Sequence, residues 1–141
     1  MSKSRFILDT WAILAFLQSE EPAVARVREL LTDAEAGVAD ACMSLISLGE
    51  AFYIVARRRG RKQARATVAA IRSLPIGLLD VAEEPVLAAA EVKSRYAISY
   101  ADAFAVAAAA ELAGTLVTGD PEIVRWCHGI VGIEPLRRAG R

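Results

Sequence analysis

The sequence is poor in the residues that most enzymes use for chemistry. Among 141 residues there is one histidine, His128, and there are two cysteines, Cys42 and Cys127. A single histidine removes paired-histidine nuclease mechanisms, and none of the usual nucleophile–histidine constellations is evident. Two distant cysteines and one histidine cannot furnish an ordinary zinc site. They make neither a disulfide framework nor a CxxC pair, so a reducing, cytoplasmic setting is the expectation. Neither a GxxxxGK[ST] nucleotide loop nor a GxGxxG turn is present. Long apolar runs are missing too: the most apolar segment, Ala101 to Ala110, is short and carries Asp102, which excludes a transmembrane span there. Asp9 interrupts the stretch where a secretory core would have to lie.

Charge of one sign is also lacking. Seventeen basic residues balance seventeen acidic ones, so net charge points to no polyanionic partner and the distribution has to be read instead. Aromatics are few (6%), while alanine is abundant and the hydrophobic fraction reaches 55%. That balance suits close-packed helices and leaves apolar surface for a subunit or partner contact. The faces around Trp11 to Leu17 and Phe52 to Val55 are the candidates. The length fits one domain over residues 1–141, with no internal repeat or linker.

Periodicity alternates between the two regular structures. Short apolar runs at Arg5–Leu8, Val38–Met43, Ile76–Val81, Leu116–Thr118 and Val131–Leu136 read as strands, the last as an edge strand. Helical spacing fills the intervals: Thr10 to Leu17, a segment opened by Pro22, a hairpin interrupted at Gly60, Glu83 to about Ser94, and Ser99 to Leu112. Alternation of this kind requires crossover connections, hence an α/β sandwich with a mostly parallel sheet of four or five strands flanked by helices. Arg137 to Arg141 read as a frayed basic tail.

Against this background four acids stand out: Asp9 in FILDT, Glu50 in SLGEAF, Asp102 in SYADAF and Asp120 in VTGDPE. Each has a structural explanation. Asp9 and Asp120 follow strands at N-cap positions, the latter with Pro121 behind it; Ser44 or Ser47 can cap the helix that carries Glu50, and Ser47–Glu50 and Ser99–Asp102 have capping-box spacing. Strand-to-helix turns of a parallel sheet nevertheless gather along its carboxyl edge, and capping is compatible with a shared site. Carboxylates packed together repel unless a cation compensates. An oxygen-only ligand set suits Mg²⁺ or Mn²⁺, one ion or two, which can activate water and stabilise an alkoxide leaving group at phosphorus.

These segments, in this order, resemble those of the PIN-domain ribonucleases, and most of all the VapC toxins of bacterial toxin–antitoxin pairs. The resemblance rests on FILDTWAIL, SLISLGEAF and ISYADAFAVAAAAELAGTLVTGD and spans nearly the whole chain. It implies a PIN-like three-layer sandwich, a homodimer, and Mg²⁺- or Mn²⁺-dependent endonucleolytic cleavage of RNA. It also implies a small antitoxin protein whose tail fills the active-site groove. It places the acidic cluster on Asp9, Glu50, Asp102 and Asp120, with Thr10, Thr118 and Glu122 as accessory residues. Two positions depart from the family pattern. Trp11 stands where a small polar residue is common, and Ile123 where an aromatic often follows a further acid.

A basic cluster, Arg57, Arg58, Arg59, Arg61, Lys62 and Arg65, continued by Arg72, lies in the helical hairpin that begins with the Glu50 helix. It is the candidate RNA-binding patch; the alternative is a solvated hairpin whose arginines finish a helix near its negative end. Two other functions stay open beside the nuclease: a catalytically degenerate RNA-binding or assembly module of the same fold, and a phospho-accepting receiver domain. The receiver reading is weakened because Thr10 rather than a second acid follows Asp9 and because the last lysine is Lys93.

Overall fold

Side chains alternate along the first strand, β1 (Ser4–Leu8), and this divides the interior in two. In the computed structural model, which describes residues 3–138, Leu8 packs into one core and its neighbour Ile7 into another. Period-two alternation does this in any strand covered on both faces. The next elements are α1 (Thr10–Leu17), α2 (Ala23–Glu35), β2 (Ala39–Ser44), α3 (Leu45–Arg59) and α4 (Arg61–Arg72). They are followed by β3 (Gly77–Leu79), α5 (Glu83–Arg95), α6 (Tyr100–Glu111), β4 (Thr115–Thr118), α7 (Pro121–Cys127) and β5 (Gly132–Pro135).

The sheet has the order β3-β2-β1-β4-β5, and all of its strand pairs are parallel. Residues of α1 to α4 close over Leu8, Met43 and Val117 on one face. Residues of α5, α6 and α7 cover Ile7 and Leu116 on the other. The expected three-layer α/β sandwich is therefore present, with the sheet wholly rather than mostly parallel. Alanines give α6 its place: Ala103, Ala105, Ala107 and Ala109 are buried, and such small side chains let a helix lie close to the strands beneath it.

Gly60, at φ +89°, ends α3 and begins α4, which folds back so that Ala64 and Ile71 reach the same core as Val55. That left-handed backbone is the reason for glycine there. At the far side of the sheet, Arg26 of α2 holds Glu134 of β5 through two hydrogen bonds of 2.6 and 3.0 Å. The Leu136 N–H donates to the Thr118 carbonyl at 2.7 Å. These contacts bring the chain leaving β5 back over the carboxyl edge of the sheet.

Two expectations change. The capping box at Ser47–Glu50 does not form. β2 runs into α3 with no intervening loop, so Ser44 is the N-cap and accepts the Ile46 N–H at 3.1 Å. Ser47 is buried inside the helix and Glu50 is its sixth residue, a turn beyond the dipole end. The basic tail is the second. Arg138 is not frayed: its guanidinium lies over the Trp11 ring, 5.7 Å from the centroid. Residues 139–141 of that segment lie outside the described residues.

Candidate active site

β1 sits at the point where the strand order reverses, with β2 on one side and β4 on the other. The crevice beside such a reversal is where open parallel sheets bind ligands. Asp9 leaves the carboxyl end of β1 and caps α1, its Oδ1 accepting the Ala12 N–H at 2.8 Å. Asp120 follows β4 and caps α7, accepting the Glu122 N–H at 2.9 Å. Asp102 occupies the first turn of α6, where Ser99 accepts its N–H at 3.1 Å. Glu50 arrives from the second turn of α3. All four acids line one cavity of about 510 Å³.

Thr118 joins two of them. Its hydroxyl donates to Asp9 Oδ2 and accepts the Asp120 N–H at 3.0 Å. The last residue of β4 thus sets the distance between the acids that follow β1 and β4. Asp9 is 2% exposed, and burial pushes its carboxyl up to about 7. The bonds from Thr118 and Ala12 pull the other way, while the charges of Asp102 and Asp120 add to the rise. Asp102 is raised to about 6, first by burial and then by the neighbouring Asp120 and Glu50, against the lowering effect of Ser99. Both acids lie in the direction that crowded, desolvated carboxylates must take without a counter-charge.

An oxygen-only set of this kind fits a hard divalent cation, whose charge would return these carboxyls to the anionic form. Among the described residues no three acidic, histidine or cysteine side chains already make a finished ligand cage. Asp9 is committed to Ala12 and Thr118, and the remaining acids approach from separate helices.

The other expected residues are placed as follows. The Thr10 hydroxyl is buried and donates to the Ser47 carbonyl at 3.2 Å, tying α1 to α3. Glu122 is exposed and accepts the Trp126 indole N–H at 3.2 Å, outside the cavity. The basic hairpin is divided. Arg58 lines the acidic cavity, while Arg58 and Arg59 line an adjoining groove between α1 and α4. Arg57 lies over Tyr53, and Arg61, Lys62, Arg65 and Arg72 are exposed along α4. His128 is exposed, its Nδ1 3.1 Å from the Val124 carbonyl one turn back.

Trp11 packs its six-membered ring on the Gly119 backbone, between Thr118 and Asp120. A methyl group at Gly119 would fall 2.4–2.5 Å from three ring atoms. Trp11 therefore walls the cavity instead of filling it, and Gly119 is needed for the close approach. Gly119→Ala should destabilise the protein by about 1–3 kcal/mol through this overlap. In a Trp11→Ala background the penalty should largely vanish, a coupling that urea denaturation of the four-member mutant cycle measures.

The model of the PIN domain matches residues 6–128, which includes every one of the four acids. The chain belongs to the PIN-domain family. No curated protein matches it significantly in sequence, but its fold is shared by several solved structures. VapBC2 from Rickettsia felis, bound to a promoter DNA fragment, superposes with a TM-score of 0.72 at 16% identity, covering 94% of this chain and 99% of that one. DNA-bound VapBC from Salmonella typhimurium gives 0.71 at 19% identity, with 94% and 98% covered. VapC20 from Mycobacterium tuberculosis, a sarcin-ricin loop-cleaving toxin, gives 0.62 at 20% identity over 79% and 86%. This PIN domain has no helix among its described residues long and apolar enough to cross a membrane.

Proposed function

We propose that this PIN domain is a divalent-metal-dependent endoribonuclease, the toxic member of a type II toxin–antitoxin pair. The observation that carries the reading is the convergence of four carboxylates, from four separate elements, on one cavity at the carboxyl edge of the sheet. Asp9, Asp102, Asp120 and Glu50 would hold Mg²⁺ or Mn²⁺, directly or through water. When bound, the ion would polarise a phosphate oxygen, acidify water and neutralise the charge that develops on the leaving oxygen.

The residues of the chain do the positioning. Ala12 and Thr118 immobilise both oxygens of Asp9, and Thr118 transmits that position to the Asp120 backbone. Ser99 fixes the turn that presents Asp102. One carboxylate of the cluster orients the attacking water for in-line displacement, and Arg57, Arg58, Arg59, Arg61, Lys62 and Arg65 attract the RNA backbone. The VapBC complexes supply the analogy for a partner: a small antitoxin protein bound to a homodimer of this chain. VapC20 supplies the analogy for an RNA substrate.

The test is cleavage of cellular RNA by purified protein with Mg²⁺ or Mn²⁺, then after EDTA, then with metal restored. Activity should be lost in EDTA and recovered on re-addition. Undiminished cleavage in EDTA overturns the mechanism. RNA binding that persists without cleavage in any metal favours the degenerate binding module instead. Co-expression with the product of a neighbouring small gene should relieve growth arrest.

A further inference from the structure

A cleft lined by the four clustered acids and Glu20 repels the polyanion it is proposed to cut, so cations inside that cleft matter more than those on the outer hairpin. Two arginines line the cavity: Arg58 from α3 and Arg138 from the segment after β5. Arg138 is delivered there by the fold. β5 runs parallel to β4 with Pro135 beside Thr118, Leu136 is buried and bonded to the Thr118 carbonyl, and two residues on the Arg138 side chain reaches Trp11. The indole gives the guanidinium a surface to rest on, at 5.7 Å from the centroid, and is itself seated on Gly119 next to Asp120.

Resting on the ribonuclease reading of the site, the geometry points to Arg138, seated on Trp11, as a phosphate-gripping residue for single-stranded RNA beside the acidic cluster. A guanidinium offers a planar fork that matches two phosphate oxygens, and stacking on an indole limits the freedom it would lose on binding. The stack lies against the loop that carries Asp120, so a phosphate held there neighbours the one exposed to the carboxylates. Trp11 acts through Arg138 and is a positioning residue. Its size is explained by this task, which a small polar residue at the same place could not perform.

The test uses the full chain carrying Asp102→Asn, so that RNA is bound without being cut, with a fluorescent single-stranded RNA and a salt titration. Arg138→Ala should weaken binding roughly tenfold and lower the salt slope by about 0.7, one single-strand phosphate contact. Arg138→Lys should restore the slope but not the full affinity. Trp11→Ala should weaken binding and lower the slope part-way, and Arg138→Ala should cost less affinity and slope in that background than it does alone. In the cutting-competent protein, Arg138→Ala should raise KM more than it lowers kcat. Unchanged affinity and slope in Arg138→Ala would overturn the assignment. Tighter binding or faster cleavage would overturn it too, by showing that the arginine obstructs the cleft. If the Asp102→Asn parent binds no RNA, the ribonuclease reading itself fails, a result distinct from failure of the Arg138 variants alone.

Discussion

Asp102→Asn should reduce metal-supported RNA cleavage by a factor on the order of a thousand or more, several kcal/mol of transition-state stabilisation. Asparagine keeps the shape of the side chain, and the Ser99 oxygen still receives the residue 102 N–H, so α6 should start where it does now. What disappears is an anion from a cavity shared with Asp9, Glu50 and Asp120. Because that anion is crowded, with its carboxyl raised to about 6, the folded protein should lose no stability. Two measurements decide the matter: single-turnover cleavage at saturating Mg²⁺, and the urea midpoint at pH 8. Retained cleavage would exclude Asp102 from the chemistry. Lost cleavage with a collapsed midpoint would make it a structural residue.

The metal-free protein should be more stable at pH 5 than at pH 8, and Mg²⁺ should remove most of that difference. Burial pushes the Asp9 carboxyl up to about 7, from an ordinary value of 3.8. Between those values the folded state holds a proton that the unfolded chain has released, so stability falls as pH rises through the window. Below it the effect is absent, and above about pH 7 it is complete. The full cost for Asp9 is at most about 4 kcal/mol, with a smaller contribution from Asp102 in the lower part of the same range. Asp9→Asn should flatten the profile. Its amide oxygen can accept the Ala12 N–H, and its NH₂ can donate to Thr118, whose hydroxyl hydrogen then turns elsewhere. Bound cation acts from the other side, stabilising the ionised cluster in proportion to the logarithm of its concentration. Chemical denaturation across pH 5 to 8, with EDTA or with Mg²⁺, gives the answer. A flat profile in EDTA would show that Asp9 ionises without penalty and that the cluster does not need a counter-charge.

Much of the scaffold was legible because it is written in short-range patterns. Ser99 three residues before Asp102, Pro121 behind Asp120, and Asp9 at the end of an apolar run are local capping signals, and each N-cap forms, at Ser99 through the serine oxygen alone. Glu50 was legible as an acid of the cluster but not in its setting. Its spacing from Ser47 imitates a capping box, and the direct passage of β2 into α3 decides for Ser44 over Ser47 as the cap. The arginines of the hairpin were visible as a group. Which of them face the cavity depends on how α3 and α4 fold about Gly60, and of that group Arg58 does. Glu20 and Arg138 also line the cavity and carried no local signal.

By itself the sequence determined the order of strands and helices, the parallel sense of the sheet and the identity of the acids worth watching. Those properties follow from periodicity, caps and crossovers, which act over a few residues or one connection. Tertiary structure decided what meets across the chain: Thr118 against Asp9, Trp11 on Gly119, and Arg138 returned to the cavity by β5. Such contacts join residues more than a hundred positions apart. They exist only because the strand order places the ends of β1, β4 and β5 side by side at one edge of the sheet.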